Sequence, residues 1–141
     1  MESKEPNPLW TGPTAAALAV YRADGSILTS PVWFRATGGW IEVVVAEGDA
    51  KLTRLRADPR CVFLAFETTP PFRGLRIEAT ASLSDDGVRD ARLQIATRYL
   101  GETAGQRYVE QRTKPGTVVR LPLAGARTWD LRNLLPTDDP P

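Results

Sequence analysis

Chemistry in this chain must be done with few tools. Its 141 residues include no histidine and one cysteine, Cys61. A Ser-His-Asp or Cys-His nucleophile system is therefore excluded, as are histidine-ligated zinc and a thiolate cage. Carboxylates remain, but Glu42, Glu47, Glu67 and Glu78 are scattered over strand-like segments and no pair stands out. The spacing with most chemical content is Glu47-Gly-Asp-Ala-Lys51. Gly48 permits a sharp turn, Asp49 suits a helix N-cap, and Lys51 falls in the first helical turn. The first amides of a helix lack internal acceptors and carry the positive end of the dipole, so a lysine there makes a phosphate site without a glycine-rich loop. A solvated helix lysine is the alternative. Arg54, Arg56 and Arg60 follow at once. They form either a solvated helix face answering Asp49 and Asp58 or a diffuse anion site. If the chain is an enzyme, a cofactor carries the chemistry.

The elements that must position these residues are mostly strands. Period-2 patterning predicts strands over residues 14–22, 27–36, 40–47, 60–67 and 75–83, with two late strands over 117–123 and 126–132. Asp24-Gly25 and Thr37-Gly38-Gly39 read as hairpin turns. In the 75–83 segment, Leu75, Ile77, Ala79, Ala81 and Leu83 point inward between polar residues. Helices are expected over 50–57, stopped by Asp58-Pro59, over 88–100, stopped by Gly101, and over 103–112. The stripe Val88, Ala91, Ile95 and Tyr99 gives the second helix its buried face. Hairpin-linked strands with few helices predict a mostly β, antiparallel barrel rather than a doubly wound sheet.

Hydrophobic residues make up 42% and charged residues 25%, with a formal net charge of +1. That is one ordinary folded domain with no field drawing it to nucleic acid or anionic membrane. The first ten residues lack a basic segment followed by an apolar stretch, and no apolar run nears the roughly 20 residues of a membrane span. A cytoplasmic, soluble protein is expected, with residues 1–12 and 133–141 as tails around a domain spanning 13–132. An oligonucleotide-binding barrel ranks low, because its surface aromatics would be interleaved with basic residues.

The ordered set of Ala23-Asp24-Gly25-Ser26, Ser30-Pro-Val-Trp-Phe34, Glu47 to Lys51, Leu52 to Arg60 and Arg73 to Ala79 resembles the pyridoxamine 5′-phosphate oxidase-like split barrels that bind FMN or the deazaflavin F420. The resemblance implies an antiparallel split β-barrel, a homodimer and a cofactor at the subunit interface. It implies that Ser30, Pro31, Val32 and Trp33 lie along the cofactor ring and that Lys51 contacts the phosphate at the start of the Leu52 helix. Arg54 and Arg56 would attend the anionic tail. Trp129, in a segment similar to the family's final strand, would reach toward the partner's site. Trp33, Phe34 and Trp129 suggest apolar surface left over for that interface. Ser30 and Gly74 stand where FMN-dependent oxidases carry an arginine and a glutamine, and Asp49 adds a carboxylate near the phosphate. The first two departures weigh against a pyridoxamine-phosphate oxidase and sit more easily with the F420 branch. The basic cluster Lys51, Arg54, Arg56 and Arg60, suited to the anionic tail that FMN lacks, tips the reading to it: a deazaflavin-dependent oxidoreductase passing a hydride to a small conjugated organic substrate, protonated by solvent or a tyrosine hydroxyl. FMN is the alternative cofactor, and a non-enzymatic flavin or haem-type storage barrel the alternative function.

Overall fold

The computed structural model describes residues 8–136. Among the described residues, nine strands form two antiparallel sheets. The first sheet has the order β2-β1-β5-β6-β9, built from β1 (Ala15–Tyr21), β2 (Ile27–Pro31), β5 (Arg60–Phe66), β6 (Gly74–Thr80) and β9 (Arg127–Trp129). The second has the order β3-β4-β8-β7, from β3 (Arg35–Thr37), β4 (Trp40–Ala46), β7 (Ser82–Ser84) and β8 (Gly116–Pro122). This is the split barrel in an α+β setting. Strand alternation places Leu18, Val20, Cys61, Phe63, Ala65, Leu75 and Ile77 of the first sheet against Ile41, Val43, Val45, Val119 and Leu121 of the second. All are buried, which is what period-2 patterning produces when two sheets share one core.

Two expected strands prove to be sheet switches. The 27–36 strand ends at Pro31 and resumes at Arg35 in the other sheet. Pro31 has no N–H for a ladder, and Phe34 turns fully inward, meeting Phe63 edge-on with ring centroids 4.9 Å apart. The alternation over 75–83 holds in burial, but the chain leaves the first sheet after Thr80 and joins the second at Ser82. At the corner the Ala81 amide donates to the Pro59 carbonyl at 2.8 Å. An unbroken pattern of burial is blind to such a corner, because both sheets face the same core. The last expected strand is shorter, Arg127–Trp129, followed by a 3-10 turn at Arg132–Leu134.

Among the described residues, four α-helices decorate the barrel: α1 (Pro8–Thr11), α2 (Ala50–Ala57), α3 (Val88–Leu100) and α4 (Glu102–Glu110). Residues 8–11, assigned above to a tail, form α1, and Leu9 is buried in the core. The Arg98 guanidinium draws this segment in, donating to the carbonyls of Leu9, Gly12 and Phe34 while lying over the Phe34 ring. The rest of the expected tails, 1–7 and 137–141, lies outside the described residues. α2 buries Leu52 and Leu55. α3 packs on the outer side of the second sheet through Ala91, Ile95 and Ala96, over β4 and β8. No helix of the described residues is long and apolar enough to cross a membrane.

Candidate functional site

Asp49 ends the turn after β4 and caps α2: its extended backbone and a side-chain oxygen 2.8 Å from the Lys51 amide make a regular N-cap. Gly48 precedes it with φ +91°, a conformation that costs other residues a Cβ clash. The second Asp49 oxygen lies 3.0 Å from Lys51 Nζ. Burial would raise the Asp49 carboxyl, but the Lys51 amide and ammonium outweigh it and hold the group below its ordinary value. The cap thus occupies amides that a phosphate would otherwise use. What remains for an anion at this turn is the Lys51 side chain, 14% exposed and tethered by one carboxylate.

Lys51 lines a groove of about 440 Å³, within the range typical of small-molecule sites. Pro31, Val32 and Trp33 supply one wall, the C-terminal half of β4 the floor, and α3 and α4 the remainder through Arg92, Ile95, Tyr108 and Arg112. Trp33 is fixed by aromatic neighbours. Its ring stacks on Tyr99 at 5.0 Å with a 9° interplanar angle and meets Tyr108 at 5.2 Å. Tyr99 is itself anchored, its hydroxyl donating to the Thr14 carbonyl at 2.7 Å, and burial raises its pKa. Tyr108 instead carries the Arg112 guanidinium over its ring at 4.4 Å. The site therefore offers a flat aromatic wall, an aliphatic floor and three cations, Lys51, Arg92 and Arg112.

The structure brings Pro31, Val32, Trp33 and Lys51 together in this groove. It puts the other predicted residues elsewhere within the chain. Ser30, opposite Leu18 on the edge strand β2, does not line it. Leu52 faces the core at 1% exposure, because the third residue of α2 points into the barrel.

Arg54 donates to the Tyr21 carbonyl at 2.9 Å and belongs to a separate hollow by the β1–β2 turn. Arg56 grips Glu47 through two hydrogen bonds of 2.7 and 2.8 Å. Arg60 pairs with Asp58, and that hydrogen-bonded guanidinium holds the Asp58 carboxyl down at about 2. The diffuse anion site expected of these arginines does not form, because helical rotation spreads them and each finds a local acceptor.

Trp129 packs on Gly74 across the β6–β9 pair. A Cβ at Gly74 would sit 2.2 Å from the Trp129 ring, so glycine is required there by Trp129, and a glutamine has no room. Of the three residues expected to leave apolar surface for an interface, Phe34 is fully buried, whereas Trp33 and Trp129 pack against neighbours within the chain and stay partly exposed. Arg92, Arg112 and Tyr108 were not foreseen as site residues. Their one sequence signal is that the 88–112 segment carries basic residues with few acidic ones at helical spacing.

The whole-chain comparisons agree with this architecture. The family profile described as pyridoxamine 5′-phosphate oxidase matches residues 3–130. No curated protein matches the sequence. A solved structure of a conserved hypothetical protein of Mycobacterium tuberculosis, Rv2991, is similar at 25% identity and TM-score 0.73, over 90% of this chain and 84% of that one. An F420 reductase shares the fold at 16% identity and TM-score 0.66, over 87% of this chain and 98% of that one. So does a pyridoxamine 5′-phosphate oxidase-related, FMN-binding protein of Nostoc punctiforme, at 16% identity and TM-score 0.58, over 84% and 74%. With its two-sheet barrel, its strand-to-helix lysine and a family match over nearly the whole sequence, the chain belongs to the pyridoxamine 5′-phosphate oxidase family of split barrels.

Proposed function

We propose that this chain is an F420-dependent oxidoreductase, exchanging a hydride between the reduced deazaflavin and a small conjugated organic substrate. The observation that carries the reading is the convergence of Lys51, Arg92 and Arg112 on a groove walled by Trp33 and Tyr108. A planar heteroaromatic ring on an anionic side chain fits such a groove: the ring lies along aromatic and aliphatic surface, and the phosphate meets the cations. The bound deazaflavin would supply the hydride chemistry. The chain's own residues hold and orient. Lys51 anchors the phosphate end, the Trp33–Tyr99 stack keeps the ring-facing wall rigid, and the apolar floor from β4 and α3 keeps water off. Tyr108, which lines the groove, would be the tyrosine that delivers a proton to substrate.

FMN offers the same ring and phosphate and is the alternative cofactor. A haem-holding barrel matches the chain less well: it has no histidine, and its one thiol, Cys61, is buried with its pKa pushed up to about 11. We also read the protein as a homodimer. The outer face of the first sheet presents Ala17, Ala19, Val62, Leu64 and Phe66, half-buried in the single chain, while α3 packs on the other sheet and α4 packs on α3. A second copy would cover that face and close the open side of the groove.

The test is titration with F420 and with FMN at low and high salt, followed by anaerobic oxidation of the reduced cofactor with conjugated acceptors. F420 should bind more tightly, and its affinity should fall as ionic strength rises. Tighter FMN binding at both salt concentrations would replace the deazaflavin reading with a flavin one. Binding without turnover would make this a carrier.

A further inference from the structure

Arg98, in the last turn of α3, is half-buried, with its guanidinium 4.2 Å from the Phe34 ring centre and 5.2 Å from that of Tyr99. Arg35, Arg56, Arg60, Arg73 and Arg120 all have carboxylate partners. Among the described residues no carboxylate pairs with Arg98, and burial lowers its pKa. Its charge is met instead by three main-chain carbonyls: Leu9 at 2.8 Å, Gly12 at 2.9 Å, and Phe34. Leu9 and Gly12 lie at the one-turn helix α1, whose last carbonyls have no acceptor role inside so short a helix. Phe34 lies in the corner between β2 and β3. One planar fork thus ties together three segments that are remote in sequence.

The next residue repeats the arrangement. The Tyr99 hydroxyl donates to the Thr14 carbonyl at 2.7 Å, and its ring lies flat on Trp33 at 5.0 Å and 9°. Trp33 stands between these grips. On one side of it the Val32 amide donates to the Ala16 carbonyl at 3.0 Å, and on the other the Phe34 carbonyl accepts from Arg98. The corner belongs to neither sheet, so these contacts, rather than a strand ladder, set where the indole points. Trp33 lines the groove, whereas Arg98, Tyr99 and residues 9–14 do not.

We propose that Arg98 is a positioning residue of the groove that acts through Trp33. By fixing the Phe34 carbonyl and the turn that carries Tyr99, it holds the indole at the angle a planar ring requires, and it makes residues 9–14 part of the frame of the site. The inference rests on the functional reading above, in which Trp33 is the ring-facing wall. A displacement of about 1 Å in such a wall can cost on the order of a hundredfold in transfer rate, which gives a fork that touches no ligand a measurable role.

The test is a double-mutant cycle read on binding of the ring alone. Whichever of F420 and FMN the wild type holds is titrated beside its phosphate-free riboside, the deazaflavin riboside or riboflavin. The variants are Arg98→Met, Arg98→Lys and Tyr99→Phe, each alone and combined with Trp33→Ala, at a temperature where circular dichroism shows them folded. Arg98→Met should weaken riboside and intact cofactor alike, roughly five- to tenfold. Arg98→Lys keeps the charge but not the fork and should do nearly the same. In the Trp33→Ala background either change should have less than about a twofold effect. Tyr99→Phe keeps the stack and frees Thr14, so its effect should be smaller and in the same direction. If Arg98→Met does not fold, Arg98→Lys and Tyr99→Phe carry the cycle. Equal losses with and without Trp33 would mean that Arg98 supports the fold at large; that result overturns the inference and leaves the functional reading standing. Unchanged riboside affinity in the Arg98 variants would do the same. A wild type that binds neither cofactor nor either riboside would overturn both.

Discussion

The outer faces of the two sheets are made from similar material and meet opposite fates. On the second sheet, Val44 and Val118 lie side by side in the β4–β8 register against α3, which buries Val118 to 2% exposure and leaves Val44 lining the groove. One ladder step along, Glu42 is buried between Arg35 and Arg120, with guanidinium nitrogens 2.7 and 2.8 Å from its two oxygens. On the first sheet, Val62 and Leu64 hold equivalent outward positions on β5 but stay half-buried, beside the small Ala17 and Ala19 of β1. The chain thus covers one face with its own helices. It keeps the other flat, apolar and edged by charges such as Arg76 and Glu78. Its flat apolar surface, with the small Ala17 and Ala19 beside Val62 and Leu64, suits a second flat surface. The groove lies at the rim of the covered sheet, where β4 meets α3, α4 and the 32–34 corner. Its walls come from one chain, and in the dimer proposed above a second copy would cover its open side.

A charge placed on each face would separate these roles most strongly. Val118→Glu should destabilise the fold by about 3–5 kcal/mol, since the carboxylate would be trapped between sheet and helix. Leu64→Glu should leave monomer stability within about 1 kcal/mol and weaken dimerisation by more than about a hundredfold, carrying cofactor affinity down with it. Urea titration measures the first effect and sedimentation the second. A monomeric wild type with full cofactor affinity would break the comparison outright.

Next in size is the groove anchor. Lys51→Ala should cost about 1.5–3 kcal/mol of cofactor binding, roughly ten- to a hundredfold in Kd, with the thermal midpoint little changed. An unchanged Kd would assign the phosphate to Arg92 and Arg112 instead.

The shared inner layer gives a pH signature. Cys61 sits on the inward side of β5, and burial lifts its thiol from 9.0 to about 11. A pKa raised in the folded state stabilises fully below the unfolded value and loses that contribution as pH rises toward the folded one. Stability should therefore fall between pH 9 and about 11, by up to about 2–3 kcal/mol from this group. Cys61→Ala should flatten the slope in that window, whatever it does to stability at neutral pH. A slope unchanged in the variant would place the titrating group elsewhere, with the buried Tyr99 hydroxyl the next to examine.

The smallest expected effect is the most specific. Asn caps helices about as well as Asp, so Asp49→Asn should preserve α2 while releasing Lys51 from its carboxylate. Phosphate-bearing cofactor should then bind roughly two- to fivefold more tightly at low salt. Weaker binding would mean that Asp49 orients Lys51 rather than competing for it.

By itself the sequence determined the local rules. α2 over Ala50–Ala57 and α3 over Val88–Leu100 form where the caps, Pro59 and Gly101 end them, and alternation over 75–83 named Leu75, Ile77 and Ala81 of the core, because local geometry and periodicity are written within a few neighbouring positions. The strand-to-helix turn at Lys51 was legible for the same reason. The tertiary structure alone decided where one alternating run changes sheets, at Pro31 and Ala81, and which cations stay free. Arg54, Arg56 and Arg60 look like an anion site when written in a row, yet Arg56 and Arg60 pair with carboxylates and Arg54 turns to the Tyr21 carbonyl away from the groove, whereas Arg92 and Arg112, twenty residues apart in sequence, converge on the groove when α3 and α4 fold back on one another. Charge acts through space, so its meaning is fixed only once distant segments are brought together.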